Sequence, residues 1–195
     1  SVSGGSKMGS RFSWQGRYRY YDYDNRSARI MFPGYVRFEA VWEDIPRITV
    51  PYSWTKQQAG VEFGWDVVRS TRLALSLDRE QWDRTFREIK QSDEDVIKLT
   101  VNHRRDRFSL RGRLEHGDRS TDDYHVDAQE YTYVAPTGIN NQPTLRKFDE
   151  AERNHDGLGV LAIIEATDAI NLTFGVDARF EDYDKSEFGL VSKDV

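Results

Sequence analysis

From Phe12 onward apolar and polar residues alternate with a period of two, so each segment carries one apolar face and one polar face. Phe12, Trp14, Gly16, Tyr18 and Tyr20 alternate with Ser13, Gln15, Arg17 and Arg19, and Val36, Phe38, Ala40 and Trp42 stand against Arg37 and Glu39. Both runs read as strands with one face covered. Three hairpins follow by the same rule. Ala59, Val61, Phe63, Trp65 and Val67 lead through Arg69-Ser70-Thr71 to Leu73, Leu75 and Leu77. Ile97, Leu99 and Val101 return, past His103 to Arg107, as Phe108, Leu110, Gly112 and Leu114. Leu158, Val160, Ala162 and Ile164 turn near Thr167-Asp168 into Leu172, Phe174, Val176, Ala178 and Phe180.

This pattern predicts an all-β fold, an antiparallel up-and-down meander of about eight to ten strands, each close to the length that crosses an outer membrane at a tilt. Only residues 83–90 (DRTFREIK) hold acceptable helix formers, and strand-like pattern flanks them. The hairpin turns are short on one side of the meander. On the other side the connections are long, polar and charged, the longest running from about His116 to Asp156. An outer-membrane barrel has this layout, with short periplasmic turns and longer extracellular loops. Residues 1–10 (SVSGGSKMGS) read as a linker or cloning remnant, which leaves residues 11–195 as a β-barrel domain or a segment of one.

Alternation alone fits two solvents. In a soluble sandwich the apolar faces meet in a core; in a membrane barrel they meet lipid and the charged faces line the lumen. Three features favour lipid. The polar faces are densely ionic (Arg111, Arg113, Glu115; Asp177, Arg179, Glu181), which suits a wet lumen where neighbouring strands pair their charges. Trp14, Trp42, Trp54, Trp65 and Trp82 fall at or near strand ends, as an aromatic girdle requires. Gly16, Gly60, Gly64, Gly112 and Gly175 punctuate the strands, where they permit bends and close approach.

Composition removes other classes. The 195 residues fit a single domain. With 28 Lys and Arg against 33 Asp and Glu, a net charge of −5, there is no basic stripe to neutralise phosphates, so no nucleic-acid partner is expected. The absence of Cys excludes disulfides, thiolate zinc sites, iron–sulfur clusters and covalent haem attachment on this chain. A mean hydropathy of −0.76, with its longest apolar run from Val160 to Ile164, leaves nothing near the roughly 20 residues of a spanning helix. Aromatic residues at 13% argue against disorder.

The candidate chemistry is thin. His103, His116, His125 and His155 lack a second His at metal spacing and read as loop histidines. Asp22-Tyr23-Asp24-Asn25, Asp93-Glu94-Asp95 and the stretch from Asp118 to Asp127 hold oxygen ligands, but none has EF-hand spacing, and solvated loops are the plainer reading. The carboxylate pairs Asp78/Glu80 and Asp177/Glu181 could act as acid and base, yet Arg79, Arg84 and Arg179 nearby would hold them as salt bridges. Asn171-Leu172-Thr173 has sequon spacing but falls in mid-strand. No nucleophile elbow, P-loop, zinc-protease or dinucleotide signature occurs, so neither an enzyme nor a cofactor or metal is expected.

Four segments, RYRYYDYDNRSA (17–28), LDREQWDRTFREIKQSDEDVIKL (77–99), FDEAERNHDGLGV (148–160) and DYDKSEFGLVSKD (182–194), resemble recurrent segments of the MtrB/PioB family of outer-membrane barrels. The resemblance covers most of the chain from Arg11 onward; the FDxAxR run and the acidic-Tyr segment leading into Phe188-Gly189-Leu190 are its most specific parts. It implies a large porin-like barrel, embedded in bacterial outer-membrane lipid, that sheathes a multihaem c-type cytochrome for extracellular electron transfer, the decahaem cytochromes being the family's partners. Family members are several times longer, so this chain is expected to be part of such a wall. The residues expected to face the lumen and hold the partner are Glu62, Asp66, Arg111, Arg113, Glu115, Asp177, Arg179 and Glu181, acting by charge complementarity. A general diffusion porin with a charged lumen and a soluble all-β binding module are the alternatives.

Overall fold

The computed structural model describes residues 1–33, 35–36, 42–43, 46–134, 142–188 and 190–195. Strands β1 (Val2–Met8) and β2 (Phe12–Tyr23) open the chain. Four two-residue strands, β3 (Met31–Phe32), β4 (Tyr35–Val36), β5 (Trp42–Glu43) and β6 (Arg47–Ile48), lie in the loop that follows. Then come β7 (Trp54–Val68), β8 (Thr71–Arg84), β9 (Gln91–Arg105), β10 (Phe108–Thr121), β11 (Arg153–Thr167), β12 (Ile170–Asp182) and the short β13 (Ser192–Asp194). The long strands, with β1 and β13, form one nine-stranded antiparallel sheet in the order β1-β2-β7-β8-β9-β10-β11-β12-β13. Among the described residues β1 and β13 do not pair with each other, so the sheet is open. Antiparallel pairing satisfies the backbone of every interior strand, the condition for a strand to cross lipid.

Register assigns each side chain to a face. One cross-strand row runs Trp14, Phe63, Leu75, Leu99, Leu114, Leu158 and Ala178; the row beside it runs Phe12, Trp65, Leu73, Val101, Gly112, Val160 and Val176. Among the described residues nothing packs over these rows: Phe63 is 50% exposed, Leu114 54% and Val176 65%. On the opposite, polar face Ser76, Ser92, His155 and Glu181 are buried. A soluble sandwich would put the apolar rows inside. Here they form a continuous uncovered band, of an extent that marks a surface facing a membrane or a partner.

The band runs obliquely across the strands. Its limit on the long-loop side lies between Ala59 and Gln57 on β7, between Leu77 and Arg79 on β8, and between Leu114 and His116 on β10. Ala59 stands level with Arg79, and Ile97 with His116, so each of these steps moves the limit towards the short turns. At the turn end the band extends further on later strands, through the level pair Phe108 and Ile164 to Leu172. Strands inclined to a flat apolar slab produce this offset.

Beyond the band the strands continue with polar residues on both faces, and there the period-two signal stops short of the structure. Asp93-Glu94-Asp95 lie inside β9 and Asp118 inside β10, where loops were expected; the longest connection is residues 122–152. His103, His116 and His155 likewise sit in strands, and only His125 is a loop histidine. Residues 83–90 form no helix: Asp83 and Arg84 end β8, and Phe86, at φ 55°, bends the chain towards β9. Residues 1–10 are not a linker. Val2–Met8 pair with β2 from Val2↔Tyr18 to Met8↔Phe12, turning at Gly9 (φ 71°). The small residues hid the strand, because Gly4, Gly5 and Ser6 carry no strand propensity of their own.

Only part of the expected tryptophan girdle faces outward. Trp14 and Trp65 do, Trp65 stacked on Phe12 with ring centroids 5.9 Å apart. Trp54 and Trp82 share the inward face near the loops, with centroids 5.0 Å apart. Trp42's side chain, and residues 37–41 of the strand expected around it, lie outside the described residues; Tyr35–Val36 pair there with Trp42–Glu43.

The best-buried apolar side chains, Ala74 of β8 apart, belong to the loop end rather than to the sheet. Ile89, Ala128, Tyr133 and Ala151 are buried there. Arg87 pairs with Asp149 at 2.7 Å and with Glu150, Lys147 pairs with Glu88 at 2.6 Å, and Phe86 meets Tyr131 edge-on at 5.4 Å. These contacts knit residues 86–88 to Tyr131 and to residues 147–150 as a cap over the long-loop end. Glu150 is 1% exposed, and burial pushes its carboxyl above the usual range despite Arg87.

Two outcomes are expected. Leu99→Arg, on the uncovered band, should destabilise the membrane-inserted chain by about 2–4 kcal/mol in urea titrations in lipid vesicles, and the adjacent inward Thr100→Arg far less; equal losses would contradict the face assignment. Because Glu150 has its folded-state pKa raised, its contribution to cap stability is full below the unfolded carboxyl pKa and is lost as pH rises through the folded value. Glu150→Gln should therefore flatten the pH dependence of limited proteolysis in residues 142–152, and an unchanged profile would count against the buried-acid account.

Candidate functional site

The polar face of the sheet is the candidate site. Glu62 and Asp66 on β7, Arg111, Arg113 and Glu115 on β10, and Asp177, Arg179 and Glu181 on β12 all project from it, because each alternates with residues of the apolar rows. The eight do not converge on one point. They spread over a wall in which charges of opposite sign meet across strands.

A repeated device joins charges two strands apart. Arg17 on β2, Gly60 on β7 and Asp78 on β8 share one row, and Arg17 Nη2 donates to Asp78 Oδ1 at 2.6 Å over the glycine. Arg113, Gly159 and Asp177 repeat the arrangement on β10, β11 and β12, with Arg113 donating to Asp177 at 2.8 Å. Glu115, Gly157 and Arg179 give it a third time, at 3.4 Å. Residues two strands apart begin about 10 Å from each other, a span that these three pairs close over a bare backbone. A Cβ on Gly60 would stand 2.0 Å from Asp78 Oδ1, and one on Gly159 2.9 Å from Asp177 Oδ2.

Between β9 and β12 the pairs merge into a hub. Glu115 receives Lys98 at 3.6 Å and lies 3.2 Å from His155 Nε2. Arg153 bridges Glu94 and Glu181, Arg179 donates to Glu181 at 2.7 Å, and Tyr183 Oη donates to Glu181 at 2.8 Å. His155, 3% exposed, lies directly over Gly117, where a Cβ would stand 2.1 Å from the ring. Near the loops Glu80 accepts from Gln58 at 2.7 Å and from Trp82 at 2.5 Å and pairs with Lys56 at 3.0 Å.

The exposed pairs, such as Arg17–Asp78 and Arg113–Asp177, contribute about 0–1 kcal/mol each, so their main effect is geometric: they hold long side chains flat in fixed positions. The carboxylate pairs considered as acid and base are engaged in this way, Asp78 by Arg17, Glu80 by Lys56, Asp177 by Arg113 and Glu181 by Arg179 and Arg153. Arg79, expected among them, points to the other face and pairs with Asp93 at 3.4 Å and Asp95 at 3.3 Å. Among the described residues no group of three His, Asp or Glu is placed to hold a metal. The wall can present an ordered, hydrated array of both charges to whatever lies against it.

Sequence reasoning missed Arg17, Glu94, Lys98, Arg153 and His155 as members of this array, and it set Asp78 beside Arg79 rather than Arg17. The alternation that marked Arg111 and Arg113 also marks Arg17 and Lys98 as polar-face residues. What was missing was the register that sets each opposite its counter-charge.

The MtrB/PioB family, described as outer membrane beta-barrel porins, has a model that matches residues 1–194. No curated protein sequence matches the chain.

Gly117→Ala should cost about 1–3 kcal/mol in urea titrations, because the methyl must displace the buried His155 ring from its carboxylates. Gly112→Ala is the control. A Cβ there meets only Val101 at 4.0 Å, and the substitution should be close to neutral. Equal losses at the two sites would contradict the close-approach role of the inward glycine.

Proposed function

Since the chain belongs to the MtrB/PioB family of outer-membrane β-barrel porins, we propose that its ionic wall sheathes a multihaem c-type cytochrome, so that electrons cross the bacterial outer membrane through the enclosed haems. The family sets the sheet in the outer membrane, and the oblique apolar band is then its lipid face. The chain itself acts as insulator and scaffold and carries out no reaction.

One observation carries this reading: the inward wall is charged with both signs and internally paired over glycines, as in Arg17–Asp78 and Arg113–Asp177. An ion-selective pore gains from a ring of one sign. A wall that must seat a protein gains from ordered, mixed charges that fix orientation and exclude wrong partners. The openness of the sheet supports the same conclusion, since a small closed barrel fills its lumen with its own side chains. Glu62, Asp66, Arg111, Arg113, Glu115, Asp177, Arg179 and Glu181 are the contacts assigned to the partner.

The test is purification from outer membranes in mild detergent, followed by haem staining and absorbance. The unaltered protein should bring a c-type cytochrome with it. The double variant Arg111→Glu, Arg113→Glu should reach the membrane in equal amount with much less haem. Undiminished haem in the variant, or none with the unaltered protein together with high conductance in planar bilayers, would favour the diffusion pore.

A further inference from the structure

The inward wall is not uniform along its length. Towards the middle and the loop end Arg17, Arg113, Arg153 and Arg179 each meet a carboxylate. At the short-turn end the balance changes. A hollow of about 660 Å³ is bordered there by Arg69 from the β7–β8 turn, Arg72 from β8, Arg104 from β9 and Arg111 from β10, with Asp66 as its carboxylate. Asp66 is already held by Arg72 at 3.3 Å, and Arg72 also donates to Ser13 at 2.9 Å. Among the described residues Arg69 and Arg104 form no ion pair, and Arg111 donates only to the neutral amide oxygen of Asn102, at 3.0 Å.

Register brings these cations together. Arg72, Asn102 and Arg111 occupy one row across β8, β9 and β10, and Arg104 stands opposite Ser109 in the next inward row. Arg104 and Arg111 are therefore diagonal neighbours, roughly 7–8 Å apart at the backbone. Like charges so placed repel unless an anion lies between them. Asn102 orients the Arg111 guanidinium, and Arg104 is fixed at the strand end by its backbone N–H, which donates to the Ser70 carbonyl at 2.8 Å. Planar guanidinium forks match the paired oxygens of a carboxylate or phosphate better than they match a spherical ion.

We infer that the turn end of the inner wall is an oxyanion site, in which Arg69, Arg104 and Arg111 bind a phosphate or carboxylate group inside the hollow. The site follows from the charge imbalance and the register, and it stands whether or not a cytochrome fills the lumen. A small free anion and a carboxylate borne by an occupant of the lumen offer the same oxygens.

The purified detergent-solubilised protein, free of haem, is titrated at low ionic strength with inorganic phosphate, with succinate and, at matched ionic strength, with chloride, by calorimetry and ³¹P line width. Phosphate and succinate should bind saturably and compete, and chloride should bind at least about tenfold more weakly. Arg104→Gln and Arg111→Gln should each weaken phosphate about tenfold or more, whereas Arg17→Gln, on the same face but paired elsewhere, should leave it unchanged. Arg111→Lys, which keeps the charge and loses the fork, should bind phosphate with intermediate affinity and so separates the contact from any folding defect. Absence of saturable binding, equal affinity for chloride, or equal losses in Arg17→Gln and Arg111→Gln would overturn the site. If the carboxylates of an occupant use the site, succinate should lower haem retention in the co-purified complex; if only free anions use it, retention should be indifferent to succinate. Neither result alters the binding measured on the haem-free protein, so failure of the sheath reading is distinguishable from failure of this one.

Discussion

A charge that faces inward on one strand reaches its counter-charge two strands away most readily where the strand between them carries no side chain at that level, although Arg153 and Glu94 also meet with Arg119 between them. Gly60, Gly157 and Gly159 meet this condition, and the pairs Arg17–Asp78, Glu115–Arg179 and Arg113–Asp177 lie over them. Each pair ties three strands rather than two. Individually the pairs stabilise little. Collectively they fix the register, because a slip of one residue would bring side chains from the outward row beneath every pair and turn the charges towards lipid.

The bilayer imposes the complementary constraint. Lipid offers the backbone no hydrogen bonds, so the ladder must satisfy each interior strand completely, and only side chains remain free to differ between faces. The outward rows answer with Leu, Val, Phe and Trp. The inward rows answer with charges, because they remain in water or against a polar occupant. The apolar band needs to be only as tall as the hydrocarbon, and the strands are longer than that. Their upper ends, polar on both faces, carry Arg79 among Asp93 and Asp95 outside and Arg153 between Glu94 and Glu181 inside. Above them the loop segments fold into a cap with its own small core around Ile89 and Ala151. Lipid contact, lumen and cap thus follow one another along the strand axis, and the basic turn end lies opposite the cap.

The sequence made the fold class legible wherever one face was apolar and the other polar. Ala59 to Leu77, Ile97 to Leu114 and Leu158 to Phe180 were read as hairpins and are hairpins. The signal failed where its physical cause ended. Gln91 to Asp95 and His116 to Thr121 extend β9 and β10 above the hydrocarbon, where nothing requires an apolar face. Val2–Met8 was hidden for a different reason: an edge strand built on Gly4, Gly5 and Ser6 depends on the template that β2 provides. The eight candidate residues were legible as polar-face positions because alternation fixes the face. Their partners were not, since pairing Arg113 with Asp177, 64 positions away, needs the register of two hairpins at once.

The most direct test of the central claim, apolar rows on lipid and ionic rows in the lumen, uses the absence of native cysteine. Single Cys substitutions at Phe63, Leu99 and Leu158 on one face and at Glu62, Lys98 and Thr100 on the other would each carry a spin label in reconstituted vesicles. Accessibility to oxygen, which partitions into lipid, is then compared with accessibility to a water-soluble nickel chelate. The account predicts high oxygen and low nickel accessibility at the first three positions and the reverse at the second three. The opposite assignment, or labels at Leu99 and Lys98 with the same accessibility, would contradict it.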